Sequence, residues 1–157
     1  MLMERVAEVI RGWPYDGSMD RAETIQASAT LVNGDWVTKQ SDGTVAKVGG
    51  SAVALAGLVI VGNGDSASAS NANEAVVLWS NFIAKISNYD SGQSYTPGTA
   101  LTVKNGIITK AALTVVTGSS PVTTVTLGDP VIAYVLDVVA AASGANPQTA
   151  HLTILVN

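Results

Sequence analysis

The only histidine is the first candidate for chemistry, because nucleophilic catalysis needs a base beside the nucleophile. His151 lies between Ala150 and Leu152, in a terminal segment that alternates polar and apolar residues. A hydrolase triad also requires an activated nucleophile and a third group that orients the base. The chain has no Gly-x-Ser-x-Gly motif to supply that nucleophile. We interpret His151 as a structural or surface residue of a strand, and we predict no catalytic residues.

Most of the Asp residues stand in sequence contexts typical of turns and not of catalytic or metal-binding sites. Five of the eight Asp residues stand beside Gly, Pro or Asn, which is typical of turns: Asp16, Asp35, Asp42, Asp65 and Asp129. Asp137 lies inside an apolar run and is expected at a strand end or an exposed position. Residues 16–20 lack the ligand spacing of a calcium loop, and the Gly-rich residues 49–50 and 62–65 lack the Lys-Ser/Thr ending of a phosphate loop. No metal and no cofactor is therefore predicted.

The composition of the chain disfavours nucleic acid as a partner and excludes every kind of site that needs Cys. Eight Lys and Arg against twelve Asp and Glu give a net charge of −4, which disfavours nucleic acid because phosphate binding needs a basic surface. The absence of Cys excludes disulfides, thiol catalysis and zinc sites built on thiolates.

The high proportion of apolar residues implies that a membrane or other protein subunits bury part of the apolar surface of the chain. Only 13% of the residues are charged, against about 25% in typical soluble domains, and the mean hydropathy is +0.33. The longest apolar run, residues 52–61, contains a Gly and is far shorter than the ~20 residues of a spanning helix. Glu4, Arg5 and Glu8 interrupt the stretch that a signal peptide would keep apolar. We therefore expect other protein subunits, and not a membrane, to cover this surface.

Residues 1–29 differ from the rest and are predicted to form an extended N-terminal arm. Apolar residues at helical spacing favour a short helix at its start, which needs a partner surface because about ten residues are marginal alone. Aromatic residues further along would anchor the arm, and residues 24–32 would pair with a strand of another chain. We expect the arm to be poorly ordered in the free protein. The predicted contacts with the neighbour are Val6, Val9, Ile10, Trp13, Tyr15 and Ile25.

Residues 30–157 show the pattern of a β-domain. Two segments repeat the order Gly, short strand, Asp-Gly or Asn-Gly turn, short strand ending in Lys. They run from Gly34 to Lys47, with Asp42-Gly43 at the turn, and from Gly98 to Lys110, with Asn105-Gly106 at the turn. Such pairs between alternating runs indicate hairpins, because Gly accepts the positive φ of primed turns.

The remaining strands are predicted by apolar runs between turn residues. They are expected at residues 57–61, 74–79, 81–86, 113–117, 122–127 and 151–156, with a longer apolar strand continuing from residues 128–135. Ser80-Asn81 is interpreted as a bulge between two successive strand segments. The fold class is all-β, a compact domain to which each hairpin contributes one ribbon.

With these segments in order, residues 34–157 resemble a family of small structural proteins of tailed bacteriophages, the capsid decoration or cement proteins. The segments that carry the resemblance are Gly34-Asp35-Trp36-Val37, Asn88-Tyr89-Asp90, residues 95–103, residues 105–111, Gly128-Asp129-Pro130-Val131-Ile132-Ala133 and Leu152-Thr153-Ile154-Leu155-Val156.

The resemblance implies a β-barrel or β-tulip-like domain without enzymatic activity. It also implies a place on the outer capsid surface of the virion, where such a protein binds the major capsid protein and stabilises the shell by bridging capsomers. Members of the family often form homotrimers and reach the capsid lattice with an N-terminal arm. The family supplies no short motif that assigns contact residues.

Two other functions compete with this one. A tail or head-fibre component that binds a host-surface glycan would need exposed aromatic platforms, for which Trp36, Trp79, Tyr89 and Tyr95 are the candidates. A small hydrolase or isomerase would need a concave site with a shifted pKa, in which His151 would take part.

Overall fold

The structure, a computed structural model, describes residues 7–12, 22–65, 73–112, 128–141 and 149–157. This part of the chain contains strands and no helix, so the all-β prediction is confirmed. In chain order the strands are β1 (Ala7–Gly12), β2 (Ala22–Gln26), β3 (Trp36–Lys39), β4 (Val45–Lys47), β5 (Gly57–Val61), β6 (Glu74–Leu78), β7 (Phe82–Ile86), β8 (Ala100–Lys104), β9 (Ile107–Lys110), β10 (Ala133–Val139) and β11 (His151–Val156).

The strands form two antiparallel sheets. A six-stranded sheet has the order β1-β7-β11-β10-β8-β9, and a five-stranded sheet has the order β2-β6-β5-β3-β4. Strands β5 and β11 coincide with the predicted residues 57–61 and 151–156, whereas residues 113–117 and 122–127 lie outside the described residues.

Both predicted hairpins are present. β3 pairs with β4, and β8 pairs with β9 in a register that sets Lys104 opposite Ile107 and leaves a two-residue loop. In that loop Asn105 has φ +53° and Gly106 has φ +72°, the backbone that a type I′ turn requires. The Asn-Gly turn therefore fixes the β8–β9 ribbon, whereas residues 40–44 form a longer loop between β3 and β4, in which Gly43 has φ +84°.

The interpretation of Ser80-Asn81 as a bulge is wrong. β6 belongs to the five-stranded sheet and β7 to the six-stranded sheet, so these two residues carry the chain from one sheet to the other. Asn81 has φ +57°, a conformation that Asn tolerates better than most residues. A change of sheet and a bulge leave the same trace in sequence, namely a short polar break between two apolar runs.

The segment predicted as an arm also differs from the expectation. Residues 7–12 are a strand and not the end of a helix, and β1 pairs with β7, while β2 pairs with β6 of the same chain. A helix of about ten residues is marginal in water, whereas the edge of a sheet satisfies the backbone N–H and C=O groups of a short segment. Residues 1–6 and 13–21 lie outside the described residues.

The main core lies between the two sheets. The five-stranded sheet contributes Trp36, Leu58 and Leu78, and the six-stranded sheet contributes alternate residues of its strands, such as Ile86 and Ile154. Burial of each such Leu or Ile stabilises the fold by about 1.5–3 kcal/mol. We call this cluster the intersheet core.

The five-stranded sheet covers its second apolar face by curling. The cluster on that face, which we call the curl cluster, consists of Leu31, Val37, Val45, Val59, Ala75 and Val77. The two edges of the sheet meet at one parallel bridge between Ala27 and Val45, where the Ser28 N–H donates to Val45 O at 2.9 Å. This single bridge brings the edges together without closing the sheet into a barrel along its length.

Asn33 ties the two sheets together through backbone groups. Its Nδ2 donates to the carbonyls of Ala7 and Ile60, at 3.1 Å each, and its Oδ1 accepts the Ala7 N–H at 2.9 Å. Ala7 opens β1 and Ile60 lies in β5, so one amide side chain joins strands of different sheets. Both ends of the amide are used, which only Asn or Gln can do.

We predict that Asn33→Asp destabilises the protein by about 1–3 kcal/mol, because a carboxylate cannot donate to two buried carbonyls. Urea unfolding measures the loss, and hydrogen exchange should show reduced protection of β1. Asn105→Asp makes the same change of charge in an exposed turn and is expected to cost less than about 0.5 kcal/mol. Equal losses in the two variants would contradict the role of Asn33.

Candidate interaction surface

Strand β10 carries exposed apolar side chains on the side of the six-stranded sheet that faces away from the intersheet core. Tyr134 is 39% exposed and Leu136 is 42% exposed, whereas Ala133 and Val135, which alternate with them, are buried. Alternation in a strand sends successive side chains to opposite faces. Tyr134 and Leu136 therefore point away from the core.

A β-bulge inserts one extra residue into this part of β10. The register shifts between Val135 and Asp137, so that Leu136 is extra with respect to β11. Asp137 pairs with Thr153, which alternates with the buried Leu152 and Ile154. Leu136 and Asp137 thus lie in succession on the same outer face, as bulged residues do.

Neighbouring strands extend the exposed residues into two rows. The register aligns Ala100, Tyr134, Leu155 and Ile83 across β8, β10, β11 and β7. The next row across β10, β11 and β7 is Asp137, Thr153 and Lys85. Residues opposite one another in a sheet share a face and touch. We call these seven residues and Leu136 the outer β10 face.

Exposure differs between parts of the outer side of this sheet. Thr102 of β8 alternates with the buried Leu101 and Val103, so it lies on the outer side, yet it is fully buried. Tyr134, on the adjacent strand β10, is exposed. Among the described residues, the outer β10 face therefore includes four exposed residues, Tyr134, Leu136, Asp137 and Lys85, on a side of the sheet that is buried at Thr102.

The polar clusters elsewhere on the described residues support the fold. The Asp35 carboxylate is 7% exposed, accepts the Val32 N–H at 3.0 Å and pairs with Lys47 at 2.9 Å. These contacts hold the start of β3 beside β4. A charged group this buried needs such partners.

A second cluster lies on the concave side of the curled sheet. The Glu23 carboxylate is 2.9 Å from Lys39 Nζ and accepts the Trp79 N–H at 2.8 Å. Lys39 also lies 5.3 Å from the centre of the Trp79 ring. Lys39, helped by the Trp79 N–H and opposed by partial burial, holds the pKa of Glu23 below its ordinary value. The cluster links β2 to β3, which are not neighbours in the strand order, and so supports the curl.

Asp129 closes the ends of the segment between residues 112 and 129. Its Oδ2 is 2.8 Å from Lys104 Nζ and accepts the Ala112 N–H at 2.9 Å, while the Asp129 N–H donates to Ala112 O at 2.9 Å. Lys104 and then the Ala112 N–H hold the pKa of Asp129 below its ordinary value. Lys104, the partner of Asp129, lies on β8, the strand that also contains the buried Thr102.

The aromatic and histidine candidates sit in packed surroundings. Trp36 is fully buried, so it offers no platform for a glycan. Tyr89 and Tyr95 pack edge to face, 5.6 Å apart, and burial raises the pKa of Tyr95 to about 12 while its hydroxyl donates to Asp90 O at 2.8 Å. His151 is half-buried in β11, with Nδ1 3.1 Å from Thr149 O. Asp137 is exposed on β10, as the sequence predicts.

The predicted contact residues of the arm do not form one surface in the described part of the chain. Val9 and Ile10 lie on β1, where Val9 is opposite Ala84. Ile25 lies on β2 in the other sheet and packs, half-buried, against the curl cluster. Val6, Trp13 and Tyr15 lie outside the described residues, so their contacts stay a prediction.

The outer β10 face is the surface that the sequence analysis missed. A signal was present, because residues 131–136 are apolar at consecutive positions and not at alternate ones. A strand with one solvated face alternates, and β10 does not. A longer apolar strand was predicted here without a prediction of which of its faces is buried, and in the structure Tyr134 and Leu136 are exposed.

No protein-family model matches the chain, and neither a curated protein nor a solved structure is detectably similar to it. Within the described residues, no three His, Asp or Glu side chains lie close enough together to hold a metal ion. That part of the chain also has no helix that could cross a membrane.

We predict that Asp129→Asn destabilises the protein by about 1 kcal/mol near neutral pH. Because the pKa of Asp129 is lowered in the folded state, its contribution is present above the ordinary Asp pKa and is lost as the pH falls through the lower folded value. Urea unfolding near pH 7 and below pH 3 measures the difference between wild type and variant, which should shrink in acid.

Lys104→Met provides the matched control for this prediction. Once Asp129 is Asn, replacing Lys104 should change stability little more, because the two residues act as one pair. A difference between wild type and Asp129→Asn that stays constant with pH would contradict the assignment.

Proposed function

We propose that this chain is a non-enzymatic structural protein of a bacteriophage virion. In this proposal it binds the major capsid protein on the outer surface of the shell and stabilises the shell by bridging capsomers. The observation that carries the proposal is the exposure of Tyr134 and Leu136 on the outer β10 face, in a chain of which only 13% of the residues are charged.

An assembly protein needs surfaces of this kind. Interfaces in stable assemblies have an apolar centre and a polar rim, and the outer β10 face has an apolar row beside the polar row of Asp137, Thr153 and Lys85. A protein that spans a boundary between capsomers must lose its contacts with at least one of them before they separate. Its contacts therefore add to the free energy that resists expansion of the shell.

The sequence resemblance is the reason for proposing the major capsid protein as the partner. The segments that resemble capsid decoration proteins include β11, in the interior of the six-stranded sheet, and the β8–β9 hairpin at one edge of it. The resemblance therefore concerns residues that specify the sheet carrying the outer β10 face.

The aromatic side chains weigh against the glycan-binding alternative. Trp36 is fully buried, the Trp79 N–H is engaged by Glu23, and Tyr89 packs against Tyr95. A sugar-binding platform needs a flat ring with a free face beside polar groups, and these four residues are committed to packing or hydrogen bonding.

Cosedimentation tests the proposal. The purified chain is mixed with assembled heads of the virus that encodes it, from which this protein has been removed. We expect saturable binding and a higher temperature for the loss of head integrity. A folded chain that fails to bind heads at micromolar concentration, or that binds an arrayed glycan instead, would overturn the proposal.

A leucine pair tests the surface. Leu136 is 42% exposed on the outer β10 face, and Leu55 is 56% exposed in the loop between β4 and β5. We expect Leu136→Lys to weaken binding at least about tenfold, which corresponds to 1.4 kcal/mol, and Leu55→Lys to leave it unchanged. The reverse order would place the contact elsewhere.

A further inference from the structure

We propose that Asn105 is a site of spontaneous deamidation, and that its conversion to isoaspartate loosens a contact between the two sheets. This chemistry does not depend on the proposed function. Three Asn-Gly pairs occur in the chain, at residues 33–34, 63–64 and 105–106. Asn reacts fastest before Gly, because Gly has no side chain to hinder attack by its backbone nitrogen. The fold treats the three pairs differently.

The reaction needs only water. The backbone nitrogen of the Gly loses its proton to water or hydroxide and attacks Cγ of the Asn side chain. The new N–Cγ bond closes a succinimide ring, and the side-chain nitrogen takes up a proton and leaves as ammonia. Water then opens the ring at either of its two carbonyls, which gives Asp or isoaspartate. In isoaspartate the main chain runs through Cβ and Cγ, so it is longer by one carbon.

Asn33 is held at both of its reacting groups. Its Nδ2 donates to the carbonyls of Ala7 and Ile60 at 3.1 Å each, and its Oδ1 accepts the Ala7 N–H at 2.9 Å. The Gly34 N–H, which would be the nucleophile, donates to Val59 O at 2.9 Å. Ring closure at Asn33 therefore requires these hydrogen bonds to break.

Asn63 is held in a similar way. Its Oδ1 accepts the Leu31 N–H at 2.7 Å, and its Nδ2 donates to Ala29 O at 3.3 Å. The Gly64 N–H donates to Leu31 O at 2.8 Å. In this pair, too, the fold engages both the nucleophile and the side-chain amide.

Asn105 has neither restraint. It is exposed in the two-residue loop of the β8–β9 hairpin. Within the described part of the chain, no hydrogen bond engages the Asn105 side-chain amide or the Gly106 N–H. The side chain of Lys47 lies against the Gly106 α-carbon, but a long flexible side chain moves easily. Both reacting groups are therefore free of the bonds that hold the other two pairs.

The turn must open locally before the ring can close. A type I′ turn gives its first central residue a ψ of about +30°, which directs the next nitrogen away from the Cβ of that residue. The φ values of Asn105 and Gly106, +53° and +72°, fit this turn. A loop at the end of a ribbon opens more readily than segments held by side-chain hydrogen bonds. Asn105 should therefore react more slowly than in an unfolded chain, yet faster than Asn33 and Asn63.

The same turn joins the two sheets. The Asn105 N–H donates to Gly49 O at 2.6 Å, and Gly106 O accepts the Trp36 N–H at 3.2 Å. Trp36 belongs to the five-stranded sheet, and the hairpin belongs to the six-stranded sheet. An extra main-chain carbon at position 105 displaces the N–H of one residue from the carbonyl of the next. Isoaspartate therefore weakens these two hydrogen bonds, whereas Asp, with an ordinary main chain, keeps them.

Peptide mapping of the full chain, aged at neutral to mildly alkaline pH, tests the site. Trypsin cleaves after Lys and Arg, so Asn33, Asn63 and Asn105 fall in different peptides, residues 22–39, 48–85 and 105–110. Mass spectrometry follows the conversion of each amide to an acid, and fragmentation locates it. In the folded chain we expect Asn105 to convert at least about tenfold faster than the other two, because its local opening costs less. In urea the three should convert at similar rates.

Asn105→Asp, freshly prepared, is the matched control for the consequence, because it carries the charge of the product on an ordinary main chain. Hydrogen exchange measures the protection of the Trp36 N–H. We expect this protection to fall in the isoaspartate form, separated from aged protein by chromatography. It should stay at the wild-type level in Asn105→Asp.

The ranking of the three pairs decides where the modification occurs. Faster conversion of Asn105 in the folded chain, with the ranking lost in urea, supports the site. Conversion of Asn33 or Asn63 at the rate of Asn105 in the folded chain overturns it, and so does a ranking that persists in urea or an Asn105 that converts only in urea. Equal protection of the Trp36 N–H in the isoaspartate form and in Asn105→Asp overturns the loosening of the contact.

Discussion

The fold depends on one constraint, which is that every apolar face of a sheet must be removed from water. The five-stranded sheet has two such faces, because Trp36 and Val37, adjacent in β3, are both fully buried. One face packs against the six-stranded sheet, and the other is covered when the sheet curls until Ala27 meets Val45. The polar contacts of Glu23, Lys39 and Trp79 then link strands that only the curl brings together.

The six-stranded sheet does not satisfy the same constraint by itself. Its inner side is the intersheet core, and its outer side is buried at Thr102 but open at Tyr134. With so few charged side chains in the chain, there is little to solvate this area. The proposed function starts from this exposed area, which a second protein surface would cover.

Local features of the structure were predictable from sequence, and long-range ones were not. The β8–β9 hairpin follows from Asn105-Gly106, because the turn needs positive φ at both residues. β5 and β11 follow from apolar runs of strand length. Which sheet a strand joins depends on contacts distant in sequence, so the passage at Ser80-Asn81 and the pairing of β1 with β7 were misread.

The candidate surface was missed for a related reason. A continuous apolar strand such as β10 is expected when both faces are buried, and sequence cannot show that Tyr134 and Leu136 are exposed on one of them. The bulge at Leu136 is equally hidden, because it depends on register with β11. The ion pair between Asp35 and Lys47 joins residues 12 positions apart, and the ion pair between Asp129 and Lys104 joins residues 25 positions apart. Only the folded chain brings these residues together.

The central claim is that another protein surface covers the outer β10 face when the chain functions. Cryo-electron microscopy of the intact particle from the encoding virus tests it most directly. The account predicts the two-sheet domain outside the shell, with Tyr134 and Leu155 enclosed by protein. A particle without this domain, or one in which both side chains point into solvent, would contradict it.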